Sequence, residues 1–150
     1  MTIFLPPNPI VKSDAGRFSV FLAGSIEIGK AIEWQDDLSE TLDKRGYDVY
    51  NPRRKDWNSS WTQSISHPQF REQVEWELDG LDRADYTVFY FQPGTMSPIS
   101  LMELGLQCGR GKICYVVCPE GFWRKGNVDI ICAKYHVAQF NSLEELKDIF

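Results

Sequence analysis

The stretch YTVFYFQPGTMSPISLMELGLQCG, residues 86–109, decides the fold. Its first six residues form an apolar run of β-branched and aromatic side chains, which is typical of a buried strand. A Pro-Gly turn follows, and Ser97 before Pro98 is a favourable N-cap with proline at the first helical position. The residues after Pro98 predict a helix to about Gln107, with Gly109 past its end. A strand followed directly by a helix is the building unit of α/β proteins.

Strand and helix patterns alternate along the rest of the chain. Further strands are predicted at residues 17–23, 47–50, 112–118 and 135–140. Further helices are predicted at about residues 30–44, 68–83 and 128–134 and after Ser142, where a capping box begins. This order predicts one doubly wound α/β domain over residues 1–150, with a five-stranded, mainly parallel sheet and an irregular arm at residues 1–15. Ligands of such sheets bind at the carboxyl ends of the strands, near a switch in strand order.

The composition excludes several classes of protein. With 16 Lys and Arg against 21 Asp and Glu, the 150 residues carry a formal net charge of −5, which argues against nucleic-acid polymers and anionic membranes as partners because both require a basic surface. Five Trp, six Tyr and nine Phe are too many for a disordered chain. No apolar stretch is long enough to span a bilayer, and residues 1–9 lack the pattern of a signal peptide. We therefore expect a cytoplasmic protein.

The cysteines and histidines do not have the spacing of a metal site. Cys108, Cys114, Cys118 and Cys132 form no C-x-x-C pair, and the chain has two histidines. Cys114 and Cys118 fall in or beside an apolar strand, which favours buried free thiols in a reducing compartment. We expect neither a structural metal nor a cofactor.

Glu103 is the sole charged residue between Pro98 and Gly109. A helix that is apolar on nearly every side is a buried helix, and burying an unpaired carboxylate costs several kcal/mol. Two interpretations follow. Glu103 forms a buried ion pair, for which Arg53 and Arg54 are candidates, or it serves as a nucleophile or general acid–base in a dry pocket.

Two other acids are candidates for the same pocket. Glu77 falls on the apolar stripe predicted for the helix at residues 68–83, whose members are Phe70, Val74, Leu78 and Leu81. Asp85 directly precedes the strand at residues 86–91, at its amino end. For Asp85, local capping or pairing is as good an explanation as a contact with a ligand.

The segment after the second strand is rich in cations and tryptophan. Arg53, Arg54 and Lys55 either hold a phosphate, fix a buried carboxylate or form a solvated basic loop. Trp57 and Trp61 either stack on a planar base or pack against the sheet. The sequence leaves these alternatives open.

The first strand ends in a glycine turn. Residues 24–31 nearly match the phosphate-binding loop of nucleoside triphosphatases, but Ala31 replaces the hydroxyl residue that binds Mg²⁺ and Glu27 adds negative charge. We therefore interpret Gly24 as part of a tight strand-to-helix turn, which can still line a ligand site.

In their order and spacing, several segments resemble the nucleoside 2-deoxyribosyltransferases. They are FLAGS at residues 21–25, YNPRR at 50–54, QVEWEL at 73–78, Ala84-Asp85, and SPISLMELG at 97–105. The Asn-Pro-Arg-Arg and Trp-Glu elements are most similar to a transferase-like subgroup. The resemblance implies a flavodoxin-like fold and a two-step exchange of the base on a 2′-deoxyribonucleoside, a reaction of nucleotide salvage.

The resemblance also implies roles for individual residues. The nucleophilic glutamate of the family falls on Glu103, which would form a deoxyribosyl-enzyme ester. A base-contacting acid falls on Glu77, and the loop position that touches the base falls on Asp56 or Lys55. Ser97 stands where the family has a second base-contacting aspartate.

The remaining implied contacts concern the sugar. Gly24 and Ser25 would line its site, and Asp85 belongs to a matching motif. In the family, a neighbouring subunit lends an asparagine to the sugar hydroxyls. Asn127 is the candidate here, which implies a homo-oligomer with sites shared between subunits.

Two other functions remain open. A 2′-deoxynucleoside 5′-monophosphate N-hydrolase would use the same glutamate with water as acceptor, and Arg53 and Arg54 near a 5′-phosphate would favour it. A non-catalytic nucleoside- or nucleotide-binding module would bind the ligand without turnover. The expected partners in each case are small molecules: 2′-deoxyribonucleosides, their monophosphates or free nucleobases.

Overall fold

The computed structural model describes residues 2–12, 16–26 and 33–150. Its strands are β1 (Ile3–Phe4), β2 (Ser19–Gly24), β3 (Asp48–Tyr50), β4 (Tyr86–Tyr90), β5 (Ile113–Val117) and β6 (Ala138–Phe140). Its helices are α1 (Trp34–Lys44), α2 (Pro68–Arg83), α3 (Pro98–Gly109), α4 (Lys125–Tyr135) and α5 (Leu143–Lys147). The predicted alternation of strands and helices is confirmed.

The strands form one parallel sheet in the order β1-β3-β2-β4-β5-β6. Leaving β1 aside, this is the strand order of flavodoxin-like folds, in which ligands bind where the order reverses. The reversal lies between β2 and β4, because the chain leaves β2 toward β3 on one side and later returns to β4 on the other. The predicted fold class is therefore confirmed.

The sheet has six strands instead of the five predicted. The additional strand, β1, comes from the predicted irregular arm and pairs with β3 through Ile3 with Val49 and Phe4 with Tyr50. Two residues are too short to show a strand period, and the prolines that follow favour a turn. Phe4 is nevertheless buried against the ring of Tyr50, which fixes this end of the chain to the sheet.

Both faces of the sheet are covered by helices. Phe21 and Phe89 are fully buried beneath α2, α3 and α4. Leu22 and Val88, their neighbours in sequence, are fully buried beneath α1 and α5. Because successive strand residues point to opposite faces, a continuous apolar run is what a strand buried on both sides requires.

The helix boundaries agree with the sequence at the two prolines that begin α2 and α3. The buried face of α2 differs from the predicted stripe: Gln73, Trp76, Gly80 and Leu81 are buried, whereas Leu78 is 44 % exposed. Gly80 explains the difference, since a Cβ at this position would lie 2.8 Å from the ring of Phe21. The missing side chain lets α2 approach β2 closely. The predicted start of α1 at residues 30–32 lies outside the described residues.

All four cysteines are buried and free. Burial raises the pKa of the Cys114 thiol to about 12 and that of Cys118 to about 11. Since the thiolate is the reactive form, these side chains act as small apolar groups of the core. Among the described helices, none is both long and apolar enough to cross a membrane.

Candidate active site

The glycine turn after β2 packs directly against the end of β4. The Ser25 amide donates a hydrogen bond of 2.9 Å to the Tyr90 carbonyl. A Cβ on Gly24 would lie 2.2 Å from that carbonyl oxygen, and the φ of Gly24 is 144°. Only glycine accepts both the conformation and the close approach. The turn is thereby held at the reversal of strand order.

Three buried hydroxyl groups meet at this turn. The Oγ atom of Ser25 lies 2.8 Å from Thr95 Oγ1 and 2.8 Å from Ser97 Oγ, and the latter two are 3.0 Å apart. The Gln92 amide donates to Ser25 Oγ at 2.9 Å. We call Ser25, Thr95 and Ser97 the hydroxyl cluster. It joins the turn after β2 to the loop that enters α3.

Ser97 occupies the predicted N-cap position of α3 but does not cap the helix with its side chain. Its backbone is left-handed, with a φ of 47°, and its hydroxyl turns to Ser25 and Thr95 instead. A non-glycine residue in this conformation is strained and often marks a functional position. Bonding within the hydroxyl cluster thus replaces the predicted cap.

Glu103 lies on the inner side of α3 and is 4 % exposed. In the described part of the chain it forms no ion pair. The two arginines proposed as partners bond elsewhere: Arg54 to Asp56 and Glu72, and Arg53 to Gln35. The structure therefore does not support the buried ion-pair interpretation of Glu103.

Glu77 of α2 is the acid that acts on Glu103 electrostatically. Burial raises the pKa of Glu77 to about 7. Burial, together with repulsion from Glu77, raises the pKa of Glu103 to about 9. Two carboxyl groups that repel each other in a buried site cannot both ionise near neutral pH, so the pair keeps a proton. Such a pair offers one acid and one carboxylate.

The loop after β3 brings Asp56 to the same edge of the sheet. Asp56 is exposed, and its carboxylate accepts a hydrogen bond of 2.7 Å from Arg54, which lowers its pKa. Trp57 and Trp61 pack edge-to-face on each other, and the guanidinium of Arg54 lies over the Trp61 ring. The tryptophans thus pack on each other, on this loop and, through Phe70, on α2.

Asp85 lies at the opposite edge of the sheet. Its carboxylate accepts hydrogen bonds from the Ser19 amide at 2.8 Å and the Ser19 hydroxyl at 3.1 Å, at the amino ends of β2 and β4. The length of β4 separates it from Tyr90 by about 16 Å. Asp85 thus pairs locally, at the edge opposite to Glu103's end of the sheet, and its predicted contact with the substrate stays a prediction.

Asn127 lines a groove that includes neither Glu77 nor Glu103. It is exposed on α4, and the groove of about 710 Å³ lies between α3 and α4, with Leu101 and Leu104 in its lining. Its own chain therefore does not bring Asn127 next to Glu103. A contact between these residues requires a second subunit.

Sequence reasoning missed two polar residues of this region. Thr95 was interpreted as part of a turn, although its hydroxyl completes the hydroxyl cluster. Gln73 was quoted as part of a motif without a role, although it is buried and donates to Glu77. Its position four residues before Glu77 on the same helix is the signal that was available.

Within residues 2–12, 16–26 and 33–150, no three His, Cys, Asp or Glu side chains cluster as a metal site would require.

Comparison with solved structures shows the same fold in other proteins. A conserved protein from Enterococcus faecalis V583 matches with a TM-score of 0.65 and 13 % identity, over 88 % of this chain and 96 % of that one. The CMP N-glycosidase BcmB of Clostridium botulinum matches with a TM-score of 0.52 and 20 % identity, over 87 % of this chain and 95 % of that one. At these identities the likeness shows the fold alone.

Comparison with families gives a more specific result. No curated protein matches the chain. The model of the family described as nucleoside 2-deoxyribosyltransferase like matches residues 17–122, which include the glycine turn, both carboxyl groups and the hydroxyl cluster. The chain therefore belongs to the nucleoside 2-deoxyribosyltransferase-like family.

Proposed function

We propose that the protein breaks the N-glycosidic bond of 2′-deoxyribonucleosides and transfers the deoxyribosyl group to another nucleobase. The observation that carries this proposal is the pair of mutually repelling carboxyl groups, Glu103 on α3 and Glu77 on α2. Glu103 lacks an ion-pair partner among the described residues, so no cation blocks its carboxyl group from reacting. Membership of a family described as deoxyribosyltransferase like supports the same reaction.

The proposed reaction is a double displacement. In the free site the one proton of the pair lies on Glu103, whose pKa is the higher of the two. With substrate bound, the positive charge that develops at C1′ favours an ionised Glu103, and the proton lies on Glu77. The Glu103 carboxylate then attacks C1′ of the sugar, and the C1′–N bond breaks as Glu77 gives its proton to the leaving base. The products are a deoxyribosyl-Glu103 ester, a free base and an ionised Glu77. In the second step an incoming base attacks C1′ and loses its proton to Glu77, which restores both carboxyl groups.

The chemistry of the sugar fits a carboxylate nucleophile. Glycosidic bonds break through an oxocarbenium-like transition state, which a nearby carboxylate stabilises. A sugar without a 2′-hydroxyl forms this cation more readily, which favours deoxyribosyl substrates. The negative charge of Glu103 is costly in the buried free site but is neutralised as positive charge develops at C1′.

Other residues are proposed to bind the substrate. Gly24 and Ser25 line the sugar site, and Asp56 contacts the base from the loop after β3. Ser97 cannot give a proton to the leaving base, so this task falls to Glu77 alone. The raised pKa of Glu77 supports this role because a carboxyl that titrates near neutral pH can act as an acid.

A 2′-deoxynucleoside 5′-monophosphate N-hydrolase is the second candidate. The hydroxyl cluster favours it, since three adjacent hydroxyls with Ser97 in place of an aspartate suit an anionic phosphate better than a carboxylate would. One protein of similar fold is named a CMP N-glycosidase. In this reaction water opens the ester at C1′ and gives its proton to Glu77. Arg53 and Arg54 give less support, because both bond to neighbouring side chains.

We propose that the protein acts in the cytoplasm, in nucleotide salvage, as a homo-oligomer. Its partners are deoxyribonucleosides and free nucleobases, with no cofactor. The exposed position of Asn127 supports a shared site, since a second copy seated on the groove between α3 and α4 would bring an asparagine toward a neighbouring sugar. A non-catalytic binding module is the remaining alternative, and it predicts no turnover.

One experiment separates these functions. The protein is incubated with a deoxynucleoside plus a foreign base, and separately with a deoxynucleoside 5′-monophosphate. Exchange of the base supports the transferase, release of deoxyribose phosphate supports the hydrolase, and binding without either product supports the module. Mass spectrometry of the quenched protein then maps the adduct: a deoxyribosyl group on Glu103 is expected. An adduct on another residue would contradict the proposal.

A further inference from the structure

Gln73 is a buried polar side chain that touches Glu77. It lies one helical turn before Glu77 on α2 and is 5 % exposed. Its Nε2 atom donates a hydrogen bond of 2.9 Å to the Pro52 carbonyl oxygen and a longer one of 3.4 Å to Glu77 Oε2. A buried amide with two such contacts connects two parts of the site that are distant in sequence.

The partners of Gln73 fix the orientation of its amide. The Pro52 carbonyl can only accept a hydrogen bond, so the NH₂ group must face it, and the same group then faces Glu77. A rotated amide would place two oxygens against each other. Gln73 is therefore set to donate to an ionised Glu77 and not to accept from a protonated one.

The segment that Gln73 contacts is firmly held on its other side. Asn51 accepts a hydrogen bond of 3.0 Å from the Arg53 amide and donates one of 3.2 Å to Asp36 of α1. The segment begins the loop that carries Asp56. Gln73 thus connects Glu77 to the hydrogen-bonded start of this loop.

We infer that Gln73 is a positioning residue for the proposed reaction: its amide holds the Glu77 carboxylate in place and stabilises the charge that forms when Glu77 gives its proton to the leaving base. The inference rests on the proposed function. The proton moves from the Glu77 oxygen to a nitrogen of the base while the C1′–N bond electrons pass to that base. Glu77 is left as a carboxylate, the form to which an amide N–H donates.

The groups around Glu77 support this role. Glu103 of α3 repels a charge on Glu77, and burial disfavours it, so both raise the barrier to proton release. The hydrogen bond from Gln73 acts in the opposite direction and lowers the pKa of Glu77. The cations of the adjacent loop bond elsewhere, Arg54 to Asp56 and Glu72 and Arg53 to Gln35. Gln73 donates the hydrogen bond that favours the charged form of Glu77.

The test compares Gln73→Met with Gln107→Met. Gln107 is also a fully buried glutamine, one turn after Glu103 on α3, but its amide donates to the Leu81 carbonyl and the Thr87 hydroxyl and to neither carboxyl group. The titration of Glu77 is followed by the carboxyl ¹³C resonance, assigned from its loss in Glu77→Gln. Gln73→Met should raise the Glu77 titration midpoint by about one pH unit and shift the pH–rate profile upward. Gln107→Met should change neither.

Gln73→Asn provides a second variant that keeps the polarity but is one methylene too short to reach both partners. It should shift the Glu77 titration in the same direction. An unchanged midpoint in a folded Gln73 variant, or a rate loss that leaves the pH profile in place, would overturn the inference. Because the titration needs no substrate, it is separate from the proposed function, which full activity of Glu103→Gln would overturn.

Discussion

Buried acids at the two edges of the sheet have different partners. At the amino edge, Asp48 is 2 % exposed and accepts a hydrogen bond of 3.0 Å from Arg17. At the carboxyl edge, Glu103 is 4 % exposed and has no cation beside it in the described part of the chain. Asp48 and Glu103 are thus buried to the same extent and differ in their partners.

This difference separates a structural acid from a reactive one. An arginine beside a buried carboxylate stabilises the charged form, which makes that carboxylate a weaker base and nucleophile. A buried carboxyl beside another carboxyl is held in a state that favours proton transfer and attack on a cationic centre. The carboxyl pair therefore lowers the free energy of unfolding of the protein. This destabilisation is relieved when a substrate neutralises the charge.

The largest expected effect is on activity. Glu103→Gln should lower the rate of base exchange at least about a thousand-fold, because the amide has nearly the same shape but is a poor nucleophile. Exchange is measured by chromatography of the two bases. Glu75→Gln, an exposed acid on α2, is the matched control and should retain normal activity. Activity above a tenth of wild type in Glu103→Gln would remove Glu103 from the mechanism.

The converse experiment addresses the amino edge. Asp48→Asn should lower the free energy of unfolding by about 2 to 3 kcal/mol, because it leaves Arg17 with less compensation beside a buried side chain. Exchange activity per folded molecule should stay within about twofold of wild type. Urea denaturation and the exchange assay measure the two quantities. A large loss of activity with unchanged stability would contradict the contrast between the edges.

The pH dependence of stability gives a third comparison. The pKa of Glu103 is raised in the folded protein, so the folded state keeps a proton that the unfolded state has lost above about pH 4.5. Stability therefore falls as pH rises from this value toward the folded pKa of about 9. Glu103→Gln removes this slope and should be more stable than wild type by about 1 to 3 kcal/mol near pH 8.5, with little difference near pH 5.

Urea denaturation of both proteins across this pH range measures the effect. Asp48→Asn serves as the control, since its deficit should not turn into a gain at high pH. Parallel curves for wild type and Glu103→Gln would show that Glu103 ionises normally in the folded protein. The buried-pair account of the carboxyl edge would then fail.

The sequence predicts features that depend on local chemistry. The prolines that start α2 and α3 and the apolar run of β4 identify their elements because each acts within a few residues. The isolation of Glu103 in an apolar helix likewise indicates a buried acid. These signals do not depend on the rest of the fold.

Other features depend on contacts that no local pattern contains. Leu78 lies at the spacing of a buried position. The close approach of α2 to β2 at Gly80 instead buries a different face of the helix, which carries the polar Gln73. Thr95 and Ser97 meet Ser25 across 70 and 72 residues of sequence. The helix cap predicted for Ser97 fails for the same reason, because a tertiary hydrogen bond competes with a local one.

The smallest expected effect concerns whether the carboxyl edge is complete in one chain. Asn127→Ala should raise KM for the nucleoside about three- to tenfold, because a lost hydrogen bond to a sugar hydroxyl is worth about 1 kcal/mol. Lys134→Ala, in the same groove, is the control and should leave KM unchanged.

Mixing inactive Glu103→Gln with Asn127→Ala then sharpens the test. If subunits share sites, the mixture at low substrate should exceed the activity of Asn127→Ala alone, since one composite site carries both native residues. A strictly additive mixture would mean that each chain uses its own Asn127 or none, which the groove between α3 and α4 argues against, because Asn127 lines it and Glu103 does not.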